Sequence, residues 1–270
     1  MIPLEDSGAD VVGKAQRGLS LADSILAEKS GVSLAEVQAL RSGQGGAGVL
    51  EKVAPVLHLG IPALRALTEG RYQPATLPEL DGLRAYNTPY EDMTVNSYLV
   101  WDPATKEAAF FDTGADGQPL LDGAKEHGLT VKQIFITHTH VDHILDLDRL
   151  RERTGATAYV CEMEALEGAQ SFRPGQRFSI GKLTIETRLT WGHAKGGITY
   201  YIQGLARPLA VVGDAIFAGS MGGGAVSYAD ALRTNREEIF TLPDETVICP
   251  GHGPLTTVGE QKKANPFFAV

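Results

Sequence analysis

Apolar positions follow two different rhythms along this chain. Over residues 1–75 they recur at helical intervals: Leu34, Val37 and Leu40, then Leu50, Val53, Ala54 and Leu57, then Leu64 and Leu67. Spacings of three and four place each set on one helix face. Ser33 with Glu36 three residues on has the form of a capping box. Gly60, Gly70 and the Gly43-Gln44-Gly45-Gly46 stretch read as stops and turns. Pro74 and Pro78 bracket a linker. Beyond it, short apolar runs alternate with helix-like stretches. Strands are predicted at Asn96–Val100, Ala109–Asp112, Ile134–Thr137, Thr157–Cys161, Ile198–Ile202, Leu209–Gly213 and Thr246–Cys249. After His143, Ile144, Leu147 and Leu150 with Arg149, Arg151 and Arg153 outside predict an amphipathic helix ending near Gly155. The chain thus divides into a small all-α unit over 1–75 and an α+β unit over 76–270.

Four metal-competent side chains follow the run Ile134-Phe135-Ile136: His138, His140, Asp142 and His143, in Thr137-His138-Thr139-His140-Val141-Asp142-His143. Alternate residues of a strand share a face, so His-x-His at a strand end aims both imidazoles at one ion. Imidazole and carboxylate suit zinc, iron, manganese or cobalt. Of the seven histidines, two more lie where an apolar run meets a glycine-rich turn: His193 in Trp191-Gly192-His193 and His252 in Gly251-His252-Gly253. Asp214 closes the run Leu209–Gly213 in the same way. His58 and His127 lack that context and read as structural or solvated.

Composition changes the picture modestly. The formal net charge of −9 disfavours non-specific phosphate-backbone binding. No apolar run reaches the 18 residues of a membrane-spanning helix. The acidic start, Met1-Ile2-Pro3-Leu4-Glu5-Asp6, lacks the features of a signal peptide. Two cysteines, Cys161 and Cys249, read as buried thiols and suit a reducing compartment. Together these point to a cytoplasmic protein without membrane association.

Thr-His-x-His-x-Asp-His, Gly-His, Gly-Asp and Gly-His-Gly, in this order, resemble the metallo-β-lactamase superfamily over roughly residues 80–270. Asn96-Ser97-Tyr98-Leu99-Val100 and Phe111-Asp112-Thr113-Gly114 resemble its opening strands. Phe217-Ala218-Gly219-Ser220, Leu242-Pro243-Asp244-Glu245-Thr246, Pro250-Gly251-His252-Gly253-Pro254 and Asn265-Pro266-Phe267 resemble the glyoxalase II-like hydrolases, in the short form without a C-terminal helical domain. The resemblance implies an αββα sandwich with the metals at one edge between the sheets. It implies one ion on His138, His140 and His193, a second on Asp142, His143 and His252, and Asp214 bridging them. Two divalent ions, zinc foremost with iron or manganese as alternatives, would share a water and acidify it to hydroxide for attack on a small thioester or ester. Asp142 would also orient the attacking oxygen. Lys195 is a candidate for attracting an anionic substrate.

The pattern departs from its relatives in two places. Cysteine-ligand β-lactamases would carry Cys at Asp214, which argues against a β-lactam substrate. The glyoxalase II-like Gly-Arg-x-Asp is replaced by Met221-Gly222-Gly223-Gly224-Ala225, which counts against a glutathione thioester. Persulfide dioxygenases of the same superfamily, with one iron, use an overlapping ligand set and form the alternative activity.

Leu26-Ala27-Glu28-Lys29-Ser30-Gly31-Val32-Ser33, followed by Val37, Leu40 and Gly43, resembles repressor-type helix-turn-helix domains. This suggests a DNA-binding regulator with a metal-binding sensor domain as a third reading. Against it, residues 1–75 hold seven basic and eight acidic side chains, a net of −1. The presumed reading segment offers only Glu36, Gln38 and Arg41, too few donors for a groove reader. A helical cap or a homo-oligomer contact is the simpler expectation for these helices.

Overall fold

A computed structural model describes residues 2–269; Met1 and Val270, at the chain ends read above, lie outside the described residues. Five helices come first: α1 (Gly8–Gly18), α2 (Asp23–Ser30), α3 (Leu34–Arg41), α4 (Ala47–Val56) and α5 (Ile61–Thr68). The capping box expected at Ser33 and Glu36 opens α3, and a second at Ser7 and Asp10 opens α1. Gly60 is not a stop: it is the N-cap of α5, with Pro62 in the first turn where a missing N–H costs nothing. Val11, Leu26, Val37, Leu50 and Leu64 form the buried centre of this unit. The same cluster continues into Ala218, Met221, Tyr228, Ala231 and Phe267, so the helices are packed on the rest of the chain.

Two six-stranded sheets follow. The first runs β1 (Leu83–Tyr90), β2 (Met93–Trp101), β3 (Glu107–Phe111), β4 (Thr130–Phe135), β5 (Thr157–Cys161) and β6 (Gln170–Phe172). Its β1–β2 and β2–β3 pairs are antiparallel; β3 through β6 are parallel. The crossovers carry α6 (Gln118–Glu126), α7 (Val141–Ile144) and α8 (Leu147–Thr154). The second sheet holds β7 (Arg177–Ile180), β8 (Leu183–Leu189), β9 (Ile198–Gln203), β10 (Leu209–Gly213), β11 (Val247–Pro250) and β12 (Thr256–Thr257) as neighbours in that order. Only β10 and β11 pair in parallel there. Helices α9 (Tyr228–Thr234) and α10 (Val258–Ala264) complete the chain.

Alternation sorts the side chains into layers. Tyr98, Phe111 and Phe135 meet Ile185, Tyr200 and Val211 between the sheets. On the outer face of the first sheet, Leu99, Phe110 and Ile134 pack on Leu120, Leu147 and Leu150. On that of the second, Ala210, Val212 and Ile248 pack on Ile239, Leu242 and Val258. The result is the expected α+β sandwich with helices on both sides. All seven expected strands are present, as β2 to β5 and β9 to β11. The helix expected after His143 is interrupted. Asp146 caps α8 afresh, its carboxylate accepting from Gly117 N–H and from Arg149, which bends the chain between Ile144 and Leu147. Among the described residues no helix is long and apolar enough to cross a membrane.

Candidate metal centre

Every candidate ligand lies just past the end of a strand, on loops that meet at one edge of the sandwich. The loop after β4 carries His138, His140, Asp142 and His143; those after β8, β10 and β11 carry His193, Asp214 and His252. The seven side chains converge in two groups. Ligand atoms of His138, His140, His193 and Asp214 lie within 4.8 Å of one another, as do those of Asp142, His143 and His252. Asp214 faces both groups: its Oδ2 is 3.3 Å from His193 Nε2 and 3.5 Å from His252 Nε2, and its Oδ1 is 3.4 Å from His143 Nε2.

Partners behind the imidazoles decide which nitrogen faces inward. His143 Nδ1 donates to Asp112 Oδ2 at 2.7 Å, His252 Nδ1 to the Thr94 carbonyl at 2.7 Å and His193 Nδ1 to the Gly223 carbonyl at 2.9 Å. When such a ring is neutral, the Nδ1 bond leaves its Nε2 lone pair toward the centre, the arrangement metal sites use. Asp112 also accepts from the Thr137 N–H and hydroxyl, both at 2.7 Å, so one buried carboxylate orients His143 and anchors the loop's start. It does so from a left-handed backbone, φ 53°. Asn96 fixes the loop of His252, donating from Nδ2 to the carbonyls of Pro250 and Gly253. Gly251 is required there, because a Cβ would stand 2.1 Å from Asp214 Oδ1.

The inward-facing atoms do not satisfy one another. His140 Nδ1 is 3.0 Å from both His138 Nε2 and His193 Nε2, and no placement of protons lets three ring nitrogens share one hydrogen bond well. His143 Nε2 and Asp214 Oδ1 are buried without a hydrogen-bond partner. Such orphaned atoms are costly unless something binds them. Divalent cations fit this donor set.

The charges are consistent with that. Burial alone would keep His143 neutral, but Asp112 and Asp214 together outweigh it and push its pKa up to about 10. His252 likewise resists burial through Asp214 and Asp142 and rises to about 11. Asp214, despite burial, is held well below the usual carboxylate range by His143 and His252. Burial and the neighbouring His143 drive His138 well down, and burial lowers His193. His138 and His193 are therefore neutral imidazoles, while His143, His252 and Asp214 form a charged network before any cation enters.

Comparison with known proteins fixes the family. The profile of the metallo-beta-lactamase superfamily matches residues 90–252. The chain belongs to that superfamily. It is 30% identical over 206 residues to the probable metallo-hydrolase YqgX of Bacillus subtilis, covering 67% of this chain and 95% of the relative. It is 27% identical over 198 residues to the hydroxyacylglutathione hydrolase GloC of Haemophilus influenzae, covering 64% and 92%. Among solved structures, the BLEG-1 B3 metallo-beta-lactamase superposes with a TM-score of 0.62 at 27% identity, covering 69% of this chain and 100% of that one. ETHE1 from Myxococcus xanthus does so with 0.61 at 29% identity, covering 69% and 84%. Family and metallo-hydrolase relatives make the chain a metal-dependent hydrolase. The likeness to a B3 enzyme narrows one inference: aspartate at 214 disfavours only the cysteine-ligand β-lactamases.

Other sequence candidates fall outside the cluster. Lys195 is exposed, with no hydrogen bond or ion pair among the described residues. Three tyrosines that sequence reasoning leaves aside are packing residues: Tyr200 is buried and donates to the Ile136 carbonyl, Tyr201 packs on the outer face of its sheet, and Tyr228 packs against the N-terminal helices. Cys161 and Cys249 are buried between the sheets, and burial pushes both thiols up. Asp112 is the residue that sequence reasoning undervalued: it stands there as part of an opening-strand resemblance, yet it holds a ligand histidine.

Proposed function

We propose that the chain is a dinuclear metallohydrolase of a small thioester or ester, of the hydroxyacyl-thioester kind. The observation that carries this is Asp214, whose carboxylate lies between two groups of ligand atoms and faces both. His138, His140 and His193 would hold one ion, Asp142, His143 and His252 the other, and Asp214 both. When bound, such a pair supplies a Lewis acid and an acidified water for attack at an acyl carbon. Asp142 stays ionised: burial opposes this, but contacts with His252 and His143 hold its pKa below the usual value. Its Oδ2, 3.3 Å from His252 Nε2, is placed to orient a water or accept its proton. No protein nucleophile is required, and both thiols are buried between the sheets. Val141, Leu145 and Met163, exposed on or beside the ligand loop, offer apolar surface to an acyl group. The likeness to GloC supports a hydroxyacyl thioester.

A second reading, a mononuclear-iron persulfide dioxygenase, draws support from the likeness to ETHE1. Protein purified without added metal and assayed for bound elements separates the two. About two ions per chain, with turnover of acyl thioesters, would support the hydrolase. One iron, with oxygen consumed on glutathione persulfide, would overturn it in favour of the dioxygenase. Turnover of β-lactams alone would overturn the substrate class.

A further inference from the structure

The N-terminal helices lie outside the family match at residues 90–252, yet they pack on the loop that supports the metal centre and bond to it through Lys14. The loop after Asp214 runs through Phe217, Ser220 and Met221 into Gly222-Gly223-Gly224. Gly222 N–H donates to the Asp214 carbonyl at 3.0 Å, and the Gly223 carbonyl accepts from His193 Nδ1. A Cβ at Gly222 would stand 2.0 Å from the Asp214 carbonyl oxygen and 2.9 Å from His193 Nδ1. This loop therefore sets the orientation of one ligand and the backbone of another. Three successive glycines leave it little stiffness of its own.

Gln261 of α10 and its C-cap Asn265 hold the start of the loop at the Gly219 N–H and the Ser220 carbonyl, and α1 holds it next to the glycines. Lys14 Nζ donates to the Met221 carbonyl at 2.8 Å, one residue before Gly222, and to Asp6 Oδ2 at 2.5 Å. Asp6 also accepts from Ser220 Oγ at 2.6 Å. The pair is largely buried, with 15% and 8% of the Lys14 and Asp6 side chains exposed. The Lys14 ammonium also stands 5.0 Å from the centre of the Phe217 ring, which meets the ring of His252 in a T-shaped contact. From the ammonium to His193 Nδ1 the path is a hydrogen bond, two residues of glycine-rich backbone and a second hydrogen bond.

We infer that Lys14, fixed by Asp6, is a positioning residue for the metal centre, and that the N-terminal helical unit braces the loop that orients His193 and Asp214. This rests on the metal centre proposed above, though not on the identity of the substrate. Partners behind ligand residues are worth about 10–100-fold in metal affinity. Acting one step further out, Lys14 should fall at the low end, about tenfold.

The test uses the full chain carrying Asp6→Asn with Lys14→Met, which removes the ammonium without leaving a buried carboxylate unpaired. Gln16→Ala is the control: Gln16 bonds Leu21 and Asp23 inside the helical unit and does not touch the loop. Metal-free proteins are titrated with cobalt, reading affinity and the visible d–d spectrum. The double variant should bind one of two ions about tenfold more weakly, with an altered spectrum, while Gln16→Ala matches wild type. Equal loss in both variants would mean general loosening of the helices and would overturn the inference. Wild-type affinity and spectrum in the double variant would overturn it too. Failure of the wild-type protein to bind cobalt would instead remove the metal centre itself, and the brace with it.

Discussion

Replacing Asp112 with asparagine should weaken metal binding without unfolding the protein. Asparagine keeps the shape and tolerates the left-handed backbone that Asp112 adopts at φ 53°. It cannot accept all three bonds the carboxylate takes, from His143 Nδ1, the Thr137 N–H and the Thr137 hydroxyl. Its amide nitrogen would either oppose the Nδ1 proton or turn the ring to the tautomer that carries hydrogen on Nε2, the inward atom. At least one charge-assisted bond is lost, about 1.5–3 kcal/mol, or about 10- to 150-fold in affinity for the ion at His143. Competition against a chromophoric chelator measures this directly. A second readout is stability of the metal-free protein against pH. His143, raised to about 10, contributes stability fully present below its unfolded value of 6.5 and lost as pH rises through about 10. Wild type and variant should therefore differ most below pH 6.5 and converge above pH 10. Affinity within threefold of wild type, or a stability gap that does not narrow, would refute the role given to Asp112.

Three further outcomes are expected. His140→Ala or Asp214→Ala should abolish turnover and lower metal content together, by elemental analysis beside a thioesterase assay; full occupancy with normal activity would break the ligand assignment. Metal uptake by the metal-free protein at pH 7 should expel about two protons, because His143 and His252 both carry one there and a ligand needs its lone pair. Calorimetry in buffers of different ionisation enthalpy counts them, and no buffer dependence would contradict the charged network. Gly222→Ala should cost both metal and stability, since its Cβ would overlap the Asp214 carbonyl; an unchanged melting temperature with full metal would show that the loop can yield.

The ligands were legible in the sequence because their signal is chemical and local. His138, His140, Asp142 and His143 crowd into one stretch, and His193, Asp214 and His252 each follow an apolar run into glycine. The strands β3, β10 and β11 were legible for a related reason: buried on both faces nearly throughout, they appear as apolar runs. What escaped carries no such mark. β6 and β12, of three and two residues, are too short to show a period, and β1 holds Asn87, Thr88 and Pro89 and is a strand because β2 pairs with it. β8 does alternate, and its signal was present but weak beside two arginine-and-glutamate neighbours. The supports of the metal centre were hidden more deeply. Thr94, Met221 and Gly223 act through backbone carbonyls, which every residue has, and Lys14 acts on a loop 207 positions away. The glycines at 222–224 show the limit most clearly. Read along the chain they are a missing arginine, an argument about substrate. In space Gly222 lets the backbone close on Asp214 and His193, where a Cβ would meet the Asp214 carbonyl, and that is an argument about metal.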